Sequence, residues 1–399
     1  MSISFDNTKI AFAYKTDKDL KTAKLLFETM THNWLVNLGV RVTPVLMKSG
    51  LPIDGIIRKT IFRQFVGGET LEETKSVCNM LSNFNVQVIL DYGVEGKEGE
   101  ENFERAADTF VKVVNHAATQ ANVPFISIKL TGLARFDLLA SLNESPRLRS
   151  GVHDNEAELE EFDKVRKRLD RICAVAAEKG VGVTIDAEET WIQDPIDRLT
   201  TELMQKYNKE RPIVYNTVQL YRHDRLDFLK MSQRLATENG FHLGMKLVRG
   251  AYMERERLRA QQMGYKDPIQ VDKAATDRDF DAAIQFCIDN IHNTAAIVAT
   301  HNEESNSHTI ELMQQKGLPL NHPHMHFSQL LGMSDHITFN LAKAGASVSK
   351  YVPFGPIKDV IPYLMRRAQE NTSVGGASGR EFTLLKKEVI RRKLDGEKV

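Results

Sequence analysis

Hydrophobic positions follow two different rhythms along the chain. Over residues 1–80 they recur at helical spacing, as in Leu25, Leu26, Met30 and Trp34. From about residue 86, short apolar runs bounded by turn residues alternate with long amphipathic segments. The change predicts an N-terminal helical segment over residues 1–80, packed on a larger folded region over residues 81–399.

Eight apolar runs in the second region have the length of β-strands. They are Val86–Tyr92, Phe125–Leu130, Val183–Ile185, Val214–Tyr221, Gly244–Val248, Ala296–Ala299, Met325–Leu330 and Val348–Val352. Helical patterns such as Ala157–Lys179 and Ala275–His292 lie between them. Strands that alternate with helices predict parallel β-α units. Eight such units favour a closed α/β barrel, with an open doubly wound sheet as the alternative.

Composition limits the kinds of partner. The chain has 399 residues, with 53 Lys plus Arg and 53 Asp plus Glu, so its formal net charge is zero. Binding of nucleic acid requires a basic surface, and we therefore expect no nucleic-acid partner. The three cysteines, Cys78, Cys173 and Cys287, are far apart, which predicts buried thiols and not a disulfide framework. No run reaches the length of a transmembrane helix, and no G-x-G-x-x-G sequence follows a strand.

Seven of the eight predicted strands carry a polar residue at or near the carboxyl end. Strands of a parallel barrel are buried on both faces, and a charge there is costly unless it is paired or bound to a ligand. Active sites of such barrels lie at the carboxyl ends of the strands. The convergence predicts an active site at these ends without specifying the reaction. The residues are Lys129, Asp186, Gln219, Lys246, His301, Gln329 and Tyr351.

Each of these residues also has a purely structural interpretation. Lys129 and Lys246 could pair with carboxylates for stability alone. Asp186 could cap the helix that follows it. His301 could be a buried histidine with satisfied hydrogen bonds, and Tyr351 could be a packing aromatic residue.

A helix is predicted over Ile357–Asn371, after the last strand. On it, Arg366 and Arg367 are adjacent, and Glu370 lies one turn after Arg366. Two neighbouring guanidinium groups can bind a carboxylate through paired hydrogen bonds. From spacing alone, a solvated face with a helical ion pair is the more ordinary interpretation. The apolar stripe of this helix consists of Ile357, Ile361, Leu364 and Ala368.

A histidine-rich run, Asn321–His326, resembles the metal-binding sequence of hydrolase barrels. It precedes the seventh strand, on the side opposite the predicted active face, so we expect no metal. Two alternatives remain open from these residues. One is a metal-dependent barrel hydrolase that uses His301, His324 and His326. The other is a non-catalytic barrel that binds an amino acid through its paired arginines.

Five segments together resemble the proline dehydrogenase family, in that family's order and spacing. They are Lys246–Tyr252, Ala299–Asn302, Gln329–Met333, Tyr351–Pro356 and Arg366–Asn371. The resemblance covers roughly residues 85–390 and is strongest to the single-function enzymes of the eukaryotic type. It implies a distorted (β/α)8 TIM barrel whose last helix lies over the barrel top, with FAD bound non-covalently at the strand ends.

The resemblance also implies residue roles, position by position. Asp186 and Lys246 are the expected catalytic residues, and Lys246 stands where many bacterial members carry an arginine. The expected substrate contacts are Lys129, Tyr252, Leu330, Tyr351, Arg366, Arg367 and Glu370. The expected FAD contacts are Ala187, Gln219, Lys246, Arg249, Gly250, Ala251, Thr300, His301, Asn302 and Gln329.

The reaction implied by the resemblance is the oxidation of L-proline to Δ1-pyrroline-5-carboxylate by hydride transfer to the flavin. Tyr351 favours proline over hydroxyproline, and hydroxyproline dehydrogenase is the nearest alternative. Electrons are expected to pass to a membrane quinone, and the product to a separate pyrroline-5-carboxylate dehydrogenase. The expected location is the cytoplasm, peripherally on the inner membrane, or the mitochondrion in a eukaryote. The basic C-terminal helix around Lys386–Lys393 is interpreted as a solvated face, with membrane contact as the alternative.

Overall fold

The fold is taken from a computed structural model. It describes residues 3–32, 34, 36, 39, 54–93, 98–144, 156–370 and 377–396. The side chains at positions 54, 56, 370, 377 and 378 are outside this description.

Within the described residues, eight strands close into one barrel in sequence order. The predicted closed barrel is therefore confirmed, and the open-sheet alternative is wrong. The strands are β1 (Gln87–Tyr92), β2 (Phe125–Ile128), β3 (Gly182–Ile185), β4 (Val214–Gln219), β5 (Leu243–Val248), β6 (Thr294–Ala299), β7 (Met325–Leu330) and β8 (Val348–Phe354). Each predicted run coincides with one of them, but β2 and β4 end two residues earlier than predicted.

Helices occupy the N-terminal region, the connections between strands and the C-terminal region. In the N-terminal region they are α1 (Thr8–Ala11), α2 (Asp17–Met30), α3 (Asp54–Ile57), a π-helical turn (Arg58–Phe62), α4 (Arg63–Phe65) and α5 (Leu71–Ser82). From β1 to β5 they are α6 (Glu100–Ala118), a 3₁₀ turn (Leu130–Gly132), α7 (Phe136–Glu144), α8 (Glu156–Lys179), α9 (Thr190–Tyr207) and α10 (Arg225–Glu238). The remainder are α11 (Met253–Met263), α12 (Lys273–Asp289), α13 (Glu303–Gln315), α14 (Asp335–Lys343), α15 (Ile357–Glu370) and α16 (Ala377–Leu394).

The strands are apolar because both of their faces are covered. In β5, every residue from Leu243 to Leu247 is buried, and β4 is buried along its whole length. Parallel pairing fixes the register between these two strands and places Thr217 opposite Lys246. A buried lysine in such a strand must obtain its partners from neighbouring strands, and this requirement determines the local geometry of the site.

One compact unit comprises residues 1–93, 301–303 and 327–399. Its apolar cluster joins α2, through Leu20 and Phe27, with α15 and α16. The predicted stripe of α15 is buried within this cluster, as its spacing indicated; its members are Ile357, Ile361, Leu364 and Ala368. The domain boundary at residue 80 and the position of α15 over the barrel top remain predictions. The predicted end of this helix, Asn371, lies outside the described residues.

The buried face of α2 differs from the hydrophobic set singled out in the sequence. Leu25 is 65% exposed, and Trp34, beyond the end of α2, is 66% exposed. The buried positions of α2 are Leu20, Ala23, Phe27 and Met30, at successive spacings of three, four and three residues. Leu25 falls between these positions on the helix and therefore points away from the core.

A buried ion-pair network links the N-terminal segment to β8 and α14 in the same unit. Lys350 Nζ lies 2.9 Å from Asp335 Oδ1, and both side chains are 1% exposed. The Tyr14 hydroxyl donates to Asp335 Oδ2 at 2.6 Å, and Lys15 Nζ lies 3.8 Å from the same oxygen. Burial alone would raise the pKa of Asp335, but the charges of Lys350 and Lys15 outweigh it and hold this pKa below its usual range.

The basic C-terminal helix, α16, is not simply a solvated face. Arg392 is buried and donates to Asp17, Glu388 and the carbonyl oxygens of Phe12 and Lys15. These bonds attach α16 to the N-terminal helices because a buried guanidinium needs nearly all of its donors satisfied.

The second unit comprises residues 94–300 and 304–326 and holds β2 to β6. Cys173 and Cys287 in this unit, and Cys78 in the first, are buried free thiols, as predicted. In the described part of the chain, no helix is both long and apolar enough to cross a membrane.

Candidate active site

An ion pair joins the ends of β3 and β5. Lys246 Nζ donates to Asp186 Oδ1 at 2.5 Å, and the two side chains are 8% and 13% exposed. Asp186 is the first residue after β3, whereas Lys246 lies inside β5. The pair therefore crosses β4, which separates the two strands in the barrel.

Hydroxyl groups of the neighbouring strands complete the surroundings of Asp186. Ser127 Oγ donates to Asp186 Oδ1 at 2.8 Å, and Thr184 Oγ1 lies 2.9 Å from Ser127 Oγ. Burial alone would raise the pKa of Asp186. The charge and hydrogen bond of Lys246, the bond from Ser127 and the charge of Lys129 together hold that pKa below its usual range. The arrangement keeps a carboxylate ionised next to an ammonium group at the end of the barrel strands.

Lys129 and Gln219 are both held close to the loop that follows β3. Lys129 directly follows β2 and precedes the 3₁₀ turn Leu130–Gly132. Gln219, the last residue of β4, donates through Nε2 to the carbonyl oxygen of Glu188 at 2.8 Å. Glu188 in turn accepts two hydrogen bonds from Thr131.

The segment after β5 is fixed through Arg249. Its guanidinium donates to Asp277 at 2.8 Å, to Thr300 Oγ1 at 2.6 Å and to Ser305 Oγ at 3.0 Å. It also lies 4.3 Å from the centroid of the Phe280 ring. The predicted cofactor residues Arg249 and Thr300 are thus in direct contact.

Position 250 can accommodate only glycine without strain. Its φ of 141° is in the region that favours glycine, and a Cβ would lie 2.4 Å from the Tyr221 ring. Ala251 and Tyr252 follow, and α11 begins at Met253. Tyr252 makes no side-chain capping bond, so the first-turn N–H groups of α11 are not satisfied by it.

The predicted residues in the other unit have their own local supports. His301 Nδ1 lies 3.0 Å from Ser334 Oγ, and Gln329 Oε1 accepts from Thr338 Oγ1 at 2.8 Å. Asn302 follows His301 immediately before α13. Gln329 is buried inside β7, where the Thr338 hydroxyl satisfies one polar atom of its amide.

The residues predicted to bind substrate in this unit are mostly enclosed. Tyr351, in β8, is 7% exposed, and Leu330 is the last residue of β7. Arg367 is 6% exposed, and its guanidinium lies 5.1 Å from the Tyr363 ring centroid. Arg366 is half-buried. Arg367 therefore does not lie on a solvated face, whereas the alternative of a helical ion pair between Arg366 and Glu370 stays a prediction. Glu370 closes α15, and its side chain lies outside the description.

The donor set fits a dinucleotide cofactor. Lys246 supplies an ammonium group and Thr300 a hydroxyl group, and α11 begins shortly after β5. Such groups suit phosphate oxygens and a ring that becomes negatively charged on reduction.

Only the first part of the histidine-rich run Asn321–His326 precedes β7. His326 lies in β7, one residue after its start, and not before it. Its ring packs against Phe125 at a centroid distance of 5.1 Å, and burial lowers its pKa to about 3. His324 Nδ1 lies 2.6 Å from the carbonyl oxygen of Ile291. Among the described residues, no group of three or more His, Cys, Asp or Glu is arranged to hold a metal ion.

Several supporting residues were missed in the sequence. Ser127 donates to Asp186, Glu188 accepts from Gln219 through its carbonyl oxygen, and Thr131 donates to Glu188. Lys350, adjacent to Tyr351 in β8, forms an ion pair with Asp335. A polar residue inside an apolar run could have indicated Ser127 and Lys350. The attachment of Thr131 to Glu188, 57 residues away, depends on strand neighbourhood and leaves no local pattern.

A family model described as proline dehydrogenase matches residues 74–380. The chain belongs to the proline dehydrogenase family. The matched range contains all eight strands and α15, and the resemblance drawn from the five segments is confirmed.

Known relatives extend over much of this length. Proline dehydrogenase 1, mitochondrial, of Dictyostelium discoideum is 30% identical over 98% of this chain and 75% of its own. Hydroxyproline dehydrogenase of Xenopus laevis is 34% identical over 84% of this chain and 78% of its own. Human proline dehydrogenase 1, mitochondrial, is 41% identical over 59% of this chain and 40% of its own.

Solved structures support the fold of this family member. Proline utilization A from Bdellovibrio bacteriovorus, inactivated by N-propargylglycine, superposes with a TM-score of 0.71 over 91% of this chain at 21% identity. This chain covers 38% of that solved chain. At this identity the likeness shows the barrel fold alone.

Proposed function

We propose that this protein oxidises L-proline to Δ1-pyrroline-5-carboxylate with non-covalently bound FAD. Membership of the proline dehydrogenase family supports an oxidoreductase that acts on proline. The observation on which the proposal rests is the buried Asp186–Lys246 ion pair at the strand ends. Such a pair is expensive to bury and often marks a functional site.

The reaction removes two hydrogen atoms, as one hydride and one proton, from a CH–NH unit of proline. A hydride leaves C5, the nitrogen loses a proton, and a C5=N double bond forms. FAD, when bound, would supply the acceptor for the hydride. Every other requirement belongs to the protein: holding the ring, orienting C5 and favouring the neutral amine.

Binding of the carboxylate would orient the ring. We assign this role to Arg366, Arg367 and Lys129, the three cations matched to the family's substrate residues. Arginine forms paired hydrogen bonds with a carboxylate, which restrict rotation more than a single ammonium contact does. The side chains of Tyr252, Leu330 and Tyr351 would pack against the ring, and Glu370 would complete the substrate contacts.

The cations would also favour loss of the amine proton, because positive charge nearby disfavours a protonated amine. Lys246 would stabilise the negative charge that the electron acceptor gains. Asp186 holds Lys246 in position through their 2.5 Å contact. The FAD contacts would come from Ala187, Gln219, Lys246, Arg249, Gly250, Ala251, Thr300, His301, Asn302 and Gln329.

Further proposals concern the surroundings of the enzyme. Electrons would pass to a membrane quinone, and the product to a separate pyrroline-5-carboxylate dehydrogenase. Several relatives are named as mitochondrial, which supports a mitochondrial location. In a bacterium, the corresponding place would be the face of the inner membrane. Contact with the membrane would be peripheral.

The visible spectrum of the purified protein, followed by anaerobic addition of L-proline, tests the central proposal. We expect flavin absorption that bleaches with proline. A flavin spectrum that proline leaves unchanged would require a different substrate. A protein that stays colourless after incubation with FAD would contradict the proposed cofactor.

The relative named hydroxyproline dehydrogenase makes hydroxyproline the second candidate substrate. Tyr351 is buried, and, if it packs on the substrate as proposed, its bulk would leave little space beside the ring. We therefore expect kcat/KM for proline to exceed that for trans-4-hydroxyproline. An equal or higher value for hydroxyproline would favour the second candidate.

A further inference from the structure

Glu188 is a buried carboxyl group that none of the proposed roles uses. It lies two residues after Asp186 and is 4% exposed. Its Oε1 accepts from the Thr131 backbone N–H at 3.1 Å, and its Oε2 accepts from Thr131 Oγ1 at 2.6 Å. One carboxylate thus binds both donors of a single threonine.

The backbone of Glu188 is fixed independently of Thr131. Its N–H donates to Gln193 Oε1 at 2.7 Å, and its carbonyl oxygen accepts from Gln219 Nε2 at 2.8 Å. Gln193 is itself held by a 2.8 Å bond to Asp197. The loop after β3 is therefore held by hydrogen bonds of its own, and Thr131 bonds to it.

Thr131 is the middle residue of the 3₁₀ turn Leu130–Gly132, and Lys129 is the residue immediately before this turn. A backbone hydrogen bond closes this turn, because the N–H of Gly132 donates to the Lys129 carbonyl oxygen at 3.1 Å. The charge of Lys129 is among the causes that lower the pKa of Asp186, and it partly opposes the rise that burial causes in the pKa of Glu188. Fixing this turn consequently fixes the backbone from which Lys129 extends.

The same pattern occurs a second time in this unit. Glu256 of α11 accepts from the Thr190 N–H at 2.7 Å and from Thr190 Oγ1 at 2.6 Å. Glu256 is fully buried, and burial raises the pKa values of both glutamates, that of Glu188 to about 7. Burial of a carboxyl group opposes folding unless its oxygens are bonded, and in both pairs a single threonine supplies the two donors that satisfy a buried glutamate.

We propose that Glu188 is a positioning residue that, through Thr131, holds Lys129 in place for the carboxylate of the substrate. This inference rests on the proposed function, since Lys129 is there assigned to the carboxylate. It adds a residue that does not touch the substrate but determines how tightly the substrate binds.

Two variants interrupt the Glu188–Thr131 pair in different ways. Thr131→Val removes the hydroxyl donor and preserves shape, and Glu188→Gln replaces one acceptor oxygen by an NH₂ group. Thr201→Val is the matched control, because its hydroxyl donates to the Asp197 carbonyl oxygen within its own helix, α9, at 2.7 Å. Each variant is prepared as the FAD-loaded protein and compared by thermal unfolding to exclude a misfolded sample.

The probe is cyclopentanecarboxylate, which carries the ring and carboxylate but no amine to oxidise. Isothermal titration should show about ten-fold weaker binding to Thr131→Val and Glu188→Gln, because a displaced Lys129 forms a poorer ion pair with the carboxylate of the probe, and no change for Thr201→Val. For proline we expect KM to rise by a similar factor while kcat changes less than three-fold. Amide hydrogen exchange over residues 129–133 should be faster in both variants.

A double-mutant cycle distinguishes positioning from a general structural role. In a Lys129→Met background, Thr131→Val should weaken binding by less than two-fold, because the side chain being positioned is absent. A full ten-fold loss in that background would overturn the proposal, as would unchanged affinity despite faster exchange. A wild-type flavin that proline does not reduce would instead overturn the proposed function, whatever the exchange rates show.

Discussion

Removal of the Lys246 charge should destabilise this protein in a strongly pH-dependent way. In the folded chain, Lys246 and Asp186 are 8% and 13% exposed and 2.5 Å apart. The variant Lys246→Met keeps the volume of the side chain but leaves Asp186 with the Ser127 hydroxyl and the more exposed Lys129. Breaking a buried ion pair costs about 3–5 kcal/mol, and we expect about 3 kcal/mol at pH 7 because these two partners remain.

The sign of the pH dependence follows from Asp186. In the wild type, the pKa of Asp186 in the folded state is held below its usual range. The ionised carboxylate therefore stabilises the fold at pH values above the pKa of the unfolded state, and this stabilisation is lost as the pH falls through the pKa of the folded state. Without Lys246, burial prevails and the pKa rises above the unfolded value. The carboxyl group then takes up a proton on acidification, and the deficit of the variant should shrink to about 1 kcal/mol at pH 4.5.

Urea unfolding followed by tryptophan fluorescence, at pH 7.0 and 4.5, measures both differences from the wild type. Lys230→Met is the matched control: Lys230 is 46% exposed and 3.5 Å from Asp227, so its removal should cost less than about 0.5 kcal/mol at either pH. An equal deficit for Lys246→Met at both pH values would refute the reasoning, because it would mean that the ionisation of Asp186 does not respond to its partner.

Three further outcomes are expected. Arg367→Lys should raise KM for proline about ten-fold with a smaller effect on kcat, since lysine lacks the forked donors; steady-state kinetics would show equal KM values if Arg367 does not bind the carboxylate. Gly250→Ala should lower the melting temperature and the bound FAD more than Gly264→Ala, because both have positive φ but only Gly250 would place its Cβ 2.4 Å from a tyrosine ring; calorimetry and flavin absorbance compare them. Lys350→Met should cost about 3–5 kcal/mol of unfolding free energy, and Lys350→Met combined with Asp335→Leu should recover part of it, which chemical denaturation can test.

The sequence by itself determined the barrel. Short apolar runs that alternate with segments of helical periodicity are a local property, and each of the eight predicted runs contains most of one observed strand. The stripe of α15 was likewise readable, because apolar residues three and four positions apart share a face of any helix. Polar residues in otherwise apolar strands also marked Asp186 and Lys246 in advance, since burial of an isolated charge is too costly to be accidental.

The tertiary structure alone decided which of these residues contact one another. Lys246 is 60 positions from Asp186, and Thr131 is 57 positions from Glu188. Both pairs exist because β2 to β5 are neighbours in the barrel, a relation that no local pattern records. Burial on α15 also depends on the tertiary structure. The spacing placed Arg366 and Arg367 on one helix, but the burial of Arg367 depends on the residues that pack against it. The local sequence pattern specifies helices and strands because it depends on residues within one or two turns of each other. The hydrogen bonds of the site join residues that are far apart in the sequence, and only the closed fold brings them together.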